Sequence, residues 1–127
     1  MTIAIDLPWG PSLNSIWRKG NNRIYRNPKY IKWINEAGWL VKLGKHKRID
    51  GQFSATIILN PPTKRRYDMD NQVKVLLDLA QKTNLIEDDY LCRLLIVSYG
   101  EADAAPLGTK LILNPMASTH IEIQHKM

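Results

Sequence analysis

The stretch FSATIILNPPTKRRYDMDNQVKVLLDLA, residues 53–80, decides how this chain folds. Phe53, Ala55, Ile57 and Leu59 alternate with Ser54, Thr56 and Asn60, the period-two pattern of a half-buried strand. Pro61-Pro62 ends it, since proline cannot donate to a sheet ladder. From Asp70 the period changes. Val73, Leu76, Leu77 and Ala80 recur at helical spacing, with Asp70 placed to act as N-cap and Asn84 to close the C-terminus. A strand running into a helix through a short basic connection is half of a strand–helix–strand unit.

Working outward completes the unit. Residues 91–100, rich in Leu, Ile and Val, read as a buried strand, reached through the acidic turn Glu87-Asp88-Asp89. Upstream, Ile3, Ile5 and Leu7 alternate with Thr2, Ala4 and Asp6 as a first strand, stopped by Pro8, Gly10 and Pro11. Residues 12–27 show no periodicity and read as a basic loop. Asn27-Pro28 is a helix start, with Asn27 as N-cap and proline at the first helical position. Tyr30, Ile34, Ala37 and Val41 follow at helical spacing, so a helix is expected over 28–47, with Trp33 and Trp39 as packing residues. Asp50-Gly51 marks a turn before the second strand. Residues 117–124 are expected to form a final strand with Ile121 and Ile123 inward, and residues 102–116 carry no readable pattern. The expectation is one α+β domain over 1–127, in the order β-α-β-α-β-β, with helices packed on a mixed sheet.

Composition narrows the function. With 127 residues, 44% hydrophobic and 24% charged, the chain has the balance of a globular domain with one core. The absence of a long apolar run and of an N-terminal secretory pattern leads to an expectation of a non-membrane, cytoplasmic protein. One cysteine, Cys92, excludes a disulfide framework or a cysteine-based zinc site. The net charge of +6 is unevenly spread. Residues 1–50 hold ten basic and three acidic side chains; the remainder holds eight and nine. Such asymmetry points to a polyanionic partner, against the plainer reading of a solvated basic face.

Phosphate-cradling glycine motifs, a serine nucleophile elbow and metal-spaced histidines are all missing, so no nucleotide cofactor is expected. What remains is Asp68-Met69-Asp70-Asn71-x-x-Lys74, with Glu87-Asp88-Asp89 about twenty residues on. Helix capping explains one acid near a helix start, but not two that flank Met69 directly after Lys64-Arg65-Arg66. A hard cation explains both, because Mg²⁺ takes a few carboxylate oxygens and keeps waters. The EF-hand spacing fails: Val73 and Leu79 stand where glycine and glutamate are required. Lys74, one helical turn after Asp70, is open to two readings, a surface ion pair or an ammonium aimed at a scissile phosphate.

The Asp-Met-Asp-Asn-x-x-Lys stretch, its spacing to Asp88-Asp89, and Leu7-Pro8-Trp9-x-Pro11-Ser12-x-Asn14 together resemble the RusA family of Holliday junction resolvases. The similarity runs from the first strand to about residue 99 and is densest over 64–90. The resemblance implies a small homodimeric Mg²⁺-dependent endonuclease, encoded by a bacterium or phage, that cuts four-way DNA junctions by paired nicks. It further implies that Asp68, Asp70 and, from the downstream pair, Asp89 bind the metal, and that Lys74 is the family's essential lysine. Arg65 and Arg66 match the family's basic run before the acids. Tyr67, directly before Asp68, and the length of 102–116 depart from the family pattern; they bear on sequence preference and dimer contacts more than on the chemistry. The expected DNA contacts are Arg18, Lys19, Arg23, Arg26, Lys29, Lys32, Arg65 and Arg66, mostly to phosphates. Two other classes fit parts of the pattern: a non-catalytic DNA-binding module, which has no use for three acids, and a small metal-dependent phosphohydrolase acting on other nucleic acid.

Overall fold

The computed structural model describes residues 1–11, 27–63, 69–100 and 107–116. Its elements are β1 (Ile3–Leu7), α1 (Pro28–Leu43), β2 (Phe53–Asn60), α2 (Met69–Lys82), β3 (Cys92–Tyr99) and β4 (Gly108–Pro115), with a short 3₁₀ turn at Asp89–Leu91 before β3. The fold is α+β in the expected order. The sheet is mixed, with strand order β1-β4-β2-β3. β4 lies antiparallel between β1 and β2, and β2 pairs in parallel with β3.

Register explains how the core forms. Ile5 faces Leu111, Leu113 faces Ala55, and Ile57 also faces Leu111, so the buried alternates of three strands share one face. Tyr30, Trp33, Ala37 and Val41 of α1 and Val73, Val75, Leu76, Leu79 and Ala80 of α2 join them in one cluster. Leu76 and Leu79 are fully buried, and truncating either to alanine is worth about 2–5 kcal/mol.

Two caps match the sequence. The Asn27 side chain accepts from the N–H groups of Lys29 at 2.9 Å and Tyr30 at 3.3 Å. Asn84 takes a positive φ of 64° after α2. The Leu85 N–H reaches back to Ala80 O at 2.9 Å and the Asn84 N–H to Gln81 O at 3.2 Å, a Schellman closure. Gly51, at φ 82°, makes the turn into β2.

Four expectations need correction. α1 stops at Leu43, four residues short of 47, because Gly44 caps it and Lys45 turns at φ 50°. Trp39 is 63% exposed, whereas Trp33 is buried; Trp39 lies off the Tyr30–Ala37–Val41 stripe. β3 is not buried. It is an edge strand, and Leu94, Leu95, Ile96 and Tyr99 are all 44% or more exposed. The fourth strand is Gly108–Pro115, inside the stretch with no readable pattern. Thr109, Leu111 and Leu113 point inward, but Ile112 on the other face blurs their alternation. Residues 117–124 lie outside the described residues. Among the described residues no helix is long and apolar enough to cross a membrane.

Candidate nuclease site

The helix α2 carries the central motif. It begins at Met69, so Asp70 stands within the first turn rather than at the N-cap expected from the sequence. The Asp70 side chain is exposed there, where the helix dipole favours a carboxylate. Lys74 follows one turn on, exposed and on nearly the same side. Among the described residues it makes no ion pair within 4 Å. Lys29 and Lys32 are exposed on α1. Asp68, Arg65, Arg66, Arg18, Lys19, Arg23 and Arg26 lie outside the described residues.

The downstream acids are organised by the 3₁₀ turn. The Asp88 side chain accepts from Tyr90 N–H at 3.2 Å, and the Asp89 N–H donates to the Gln81 side-chain oxygen of α2 at 3.2 Å. Hydrogen bonding to Asp88 raises the Asp89 pKa above its ordinary value, with burial and the Asp88 charge acting in the same direction. Two adjacent carboxylates offer oxygen donors to a hard cation.

Asp70 and Asp89 do not meet within one chain. α2 leaves the C-terminal end of β2 and returns along the sheet, ending where Leu85 N–H bonds Ala80 and Ile49 N–H bonds Leu85. Asp89 is tied to Gln81, eleven residues after Asp70, and a helix rises about 16 Å over that span. Asp70 stands at the Asn60 end of the sheet, Asp88 and Asp89 at the Cys92 end. Among the described residues no three His, Cys, Asp or Glu side chains gather as one metal-binding group. The donor chemistry suits Mg²⁺; among the described residues, the placement within a single chain does not complete a site.

Asp78 has a different task. Its carboxylate accepts from the Tyr30 hydroxyl of α1 and lies 3.3 Å from Lys82 Nζ. Lys82 donates to the same hydroxyl at 2.9 Å, with its ammonium 4.9 Å from the ring centroid. Burial, and then the bond to Asp78, hold the Tyr30 phenol above its ordinary pKa. This bridge ties α1 to α2. Asp78→Asn should therefore lose no more than about 1 kcal/mol in a denaturant melt, because both charged partners are partly exposed, and should leave nicking at the wild-type rate. Severe loss of nicking would place Asp78 among the reacting groups.

Sequence reasoning missed Gln81 and Tyr30 because their partners lie on other elements. Pattern within a segment cannot reveal them.

The family model described as Endodeoxyribonuclease RusA matches residues 8–109. A protein of Aquifex aeolicus (strain VF5) named crossover junction endodeoxyribonuclease RusA is 32% identical over 82 residues, 64% of this chain and 65% of that protein. A protein of Enterobacteria phage HK97 bearing the same name is 33% identical over 86 residues, 65% of this chain and 70% of that one. The chain thus spans just under two thirds of the length of the Aquifex relative.

Proposed function

The chain belongs to the endodeoxyribonuclease RusA family, and on that premise we propose that it is a Mg²⁺-dependent endonuclease that resolves four-way DNA junctions by paired nicks as a homodimer. The observation that carries the reading is the separation of Asp70 from Asp88-Asp89 along α2, with an open apolar edge strand beside them.

That separation calls for a second copy. β3 exposes Leu94 and Ile96 on the open face of the sheet and Leu95 and Tyr99 on the helix side. An edge apolar on both faces is a template for pairing. An isologous two-fold contact is the commonest way for one surface to satisfy itself. Antiparallel pairing of β3 with its copy would lay Cys92 of each chain opposite the Tyr99 end of the other. Asp88 and Asp89 of one chain would then stand at the end where the other chain carries Asp68 and Asp70. Each of the two sites would draw acids from both chains, and the pair would face the two opposing strands of a junction.

Mg²⁺ held by these carboxylates would supply an activated water and charge neutralisation at the phosphoryl group. Asp68, Asp70 and the partner's Asp89 would hold it. Lys74, exposed one turn along from Asp70, places a fixed positive charge where the transition state gains negative charge. Lys29, Lys32 and the arginines and lysine of 18–26 and 65–66 bind phosphates and so read junction shape through the backbone.

A nicking assay on a labelled four-way junction and a linear duplex, with Mg²⁺ or a chelator, tests the reading. Paired nicks on the junction alone, lost with chelator, are expected. A protein that binds junctions but never cuts them would support the binding-module reading. Cutting of duplex and junction alike would support a general phosphohydrolase.

A further inference from the structure

The geometry points to Gln72 as a positioning residue that bolts the Pro8–Pro11 turn to the acid-bearing first turn of α2, setting the register of DNA against the reaction centre.

Gln72 is 3% exposed, one of two buried polar or charged residues in the described part of the chain. Its whole amide is spent on one backbone unit. The Gly10 N–H donates to the Gln72 side-chain oxygen at 3.0 Å, and the Gln72 amide donates to Gly10 O at 2.9 Å. A buried amide facing both groups of one residue costs little only while both bonds are made. The same turn is held from α1, where the Trp33 indole N–H donates to Pro8 O at 2.9 Å. The fit is tight. A Cβ on Gly10 would come 3.1 Å from Val75 Cγ1 and 3.2 Å from the Gln72 oxygen, so an alanine there makes these neighbours give by a few tenths of an ångström.

The placement gives the bolt its meaning. Gln72 follows Asp70 by two residues, so the two side chains leave α2 on nearly opposite sides. The outer side of the turn carries the carboxylate and the inner side carries the bolt. Gly10 and Pro11 lead directly into the sequence that carries Arg18, Lys19, Arg23 and Arg26. The origin of the main basic segment is therefore fixed against the same helical turn that carries Asp70. A core-filling role alone needs an apolar side chain here, as at Val73 and Leu76; an amide that matches the N–H and C=O of one residue instead specifies a fixed relative position. Loosening it by an ångström would leave phosphate contacts intact and misalign the scissile bond, which is costly to rate.

This inference rests on Asp70 belonging to the reaction centre. The test compares Gln72→Met, Gly10→Ala, Asp70→Asn and the core control Ile49→Val. Junction affinity is measured in Ca²⁺, and single-turnover nicking of the bound complex in Mg²⁺. Gln72→Met and Gly10→Ala are expected to slow nicking at least about tenfold with junction affinity changed by less than about threefold. Ile49→Val, fully buried and far from the bolt, should nick at the wild-type rate despite its stability loss. Wild-type nicking by folded Gln72→Met overturns the inference. So do rate and affinity that fall together in both variants, or failure of both to fold, since each makes Gln72 a packing group. Cutting by Asp70→Asn would instead sink the reading of the first turn of α2, whatever Gln72 does.

Discussion

Mixing Asp70→Asn subunits with Asp89→Asn subunits should restore junction nicking that neither variant has alone. In the proposed homodimer each substitution removes one carboxylate oxygen donor from every site, so each should be inactive, while junction binding by the basic surface survives. In a mixed dimer the two lesions separate. If each site takes Asp70 from one chain and Asp89 from the other, one site receives both lesions and its twin receives neither. Random reassociation makes about half the dimers mixed, with one intact site in each, so about a quarter of the wild-type sites should nick. The products should be single nicks rather than matched pairs. If both acids came from one chain, every site would carry a lesion and mixing would restore nothing. The expectation follows from the 11-residue span of α2 between Asp70 and Gln81, which holds Asp89. Assays with Asp88→Asn in place of Asp89→Asn identify which of the adjacent pair serves.

Placing lysines at Leu94 and Ile96 should convert the protein to a monomer and abolish nicking as completely as Asp70→Asn. Both side chains are about half exposed, at 50% and 49%, so the fold loses little when they change. Like charges brought together across a two-fold edge repel, and charged edge residues are what proteins use to prevent strand pairing. Light scattering should report the 14.6 kDa chain mass for the double variant and twice that mass for the wild type. Junction affinity should fall as well, since one chain offers half the basic surface. A variant that stays dimeric and active would move the interface away from β3.

Local chemistry was legible where one segment carries the whole signal. The 28–80 stretch announced its capped helix, its turn and its strand, because Asn27-Pro28, Asp50-Gly51, and the shift from period two to period 3.6 are properties of neighbouring residues. The acids were legible too. Asp68, Asp70 and Asp88-Asp89 form a pattern that capping and surface pairing do not exhaust, and their resemblance to one nuclease family agrees with the family model that spans residues 8–109.

Exposure of β3 was not legible. A run such as Leu94-Leu95-Ile96-Val97 is apolar whether a strand is central or lies at an edge awaiting a partner, and only the order β1-β4-β2-β3 distinguishes these. β4 escaped for a related reason: Ile112 faces outward and masks the alternation of Thr109, Leu111 and Leu113. The distance between the acids escaped entirely. Their spacing of about twenty residues in sequence says nothing of the return path of α2, which carries Asp89 to the far end of the sheet. Residue identity and period set the chemistry and the local elements of this chain, because both depend on contacts within a few residues. Which carboxylates can share a cation, and through whose chain, depends on strand order and helix direction, and these are fixed only when distant segments pack.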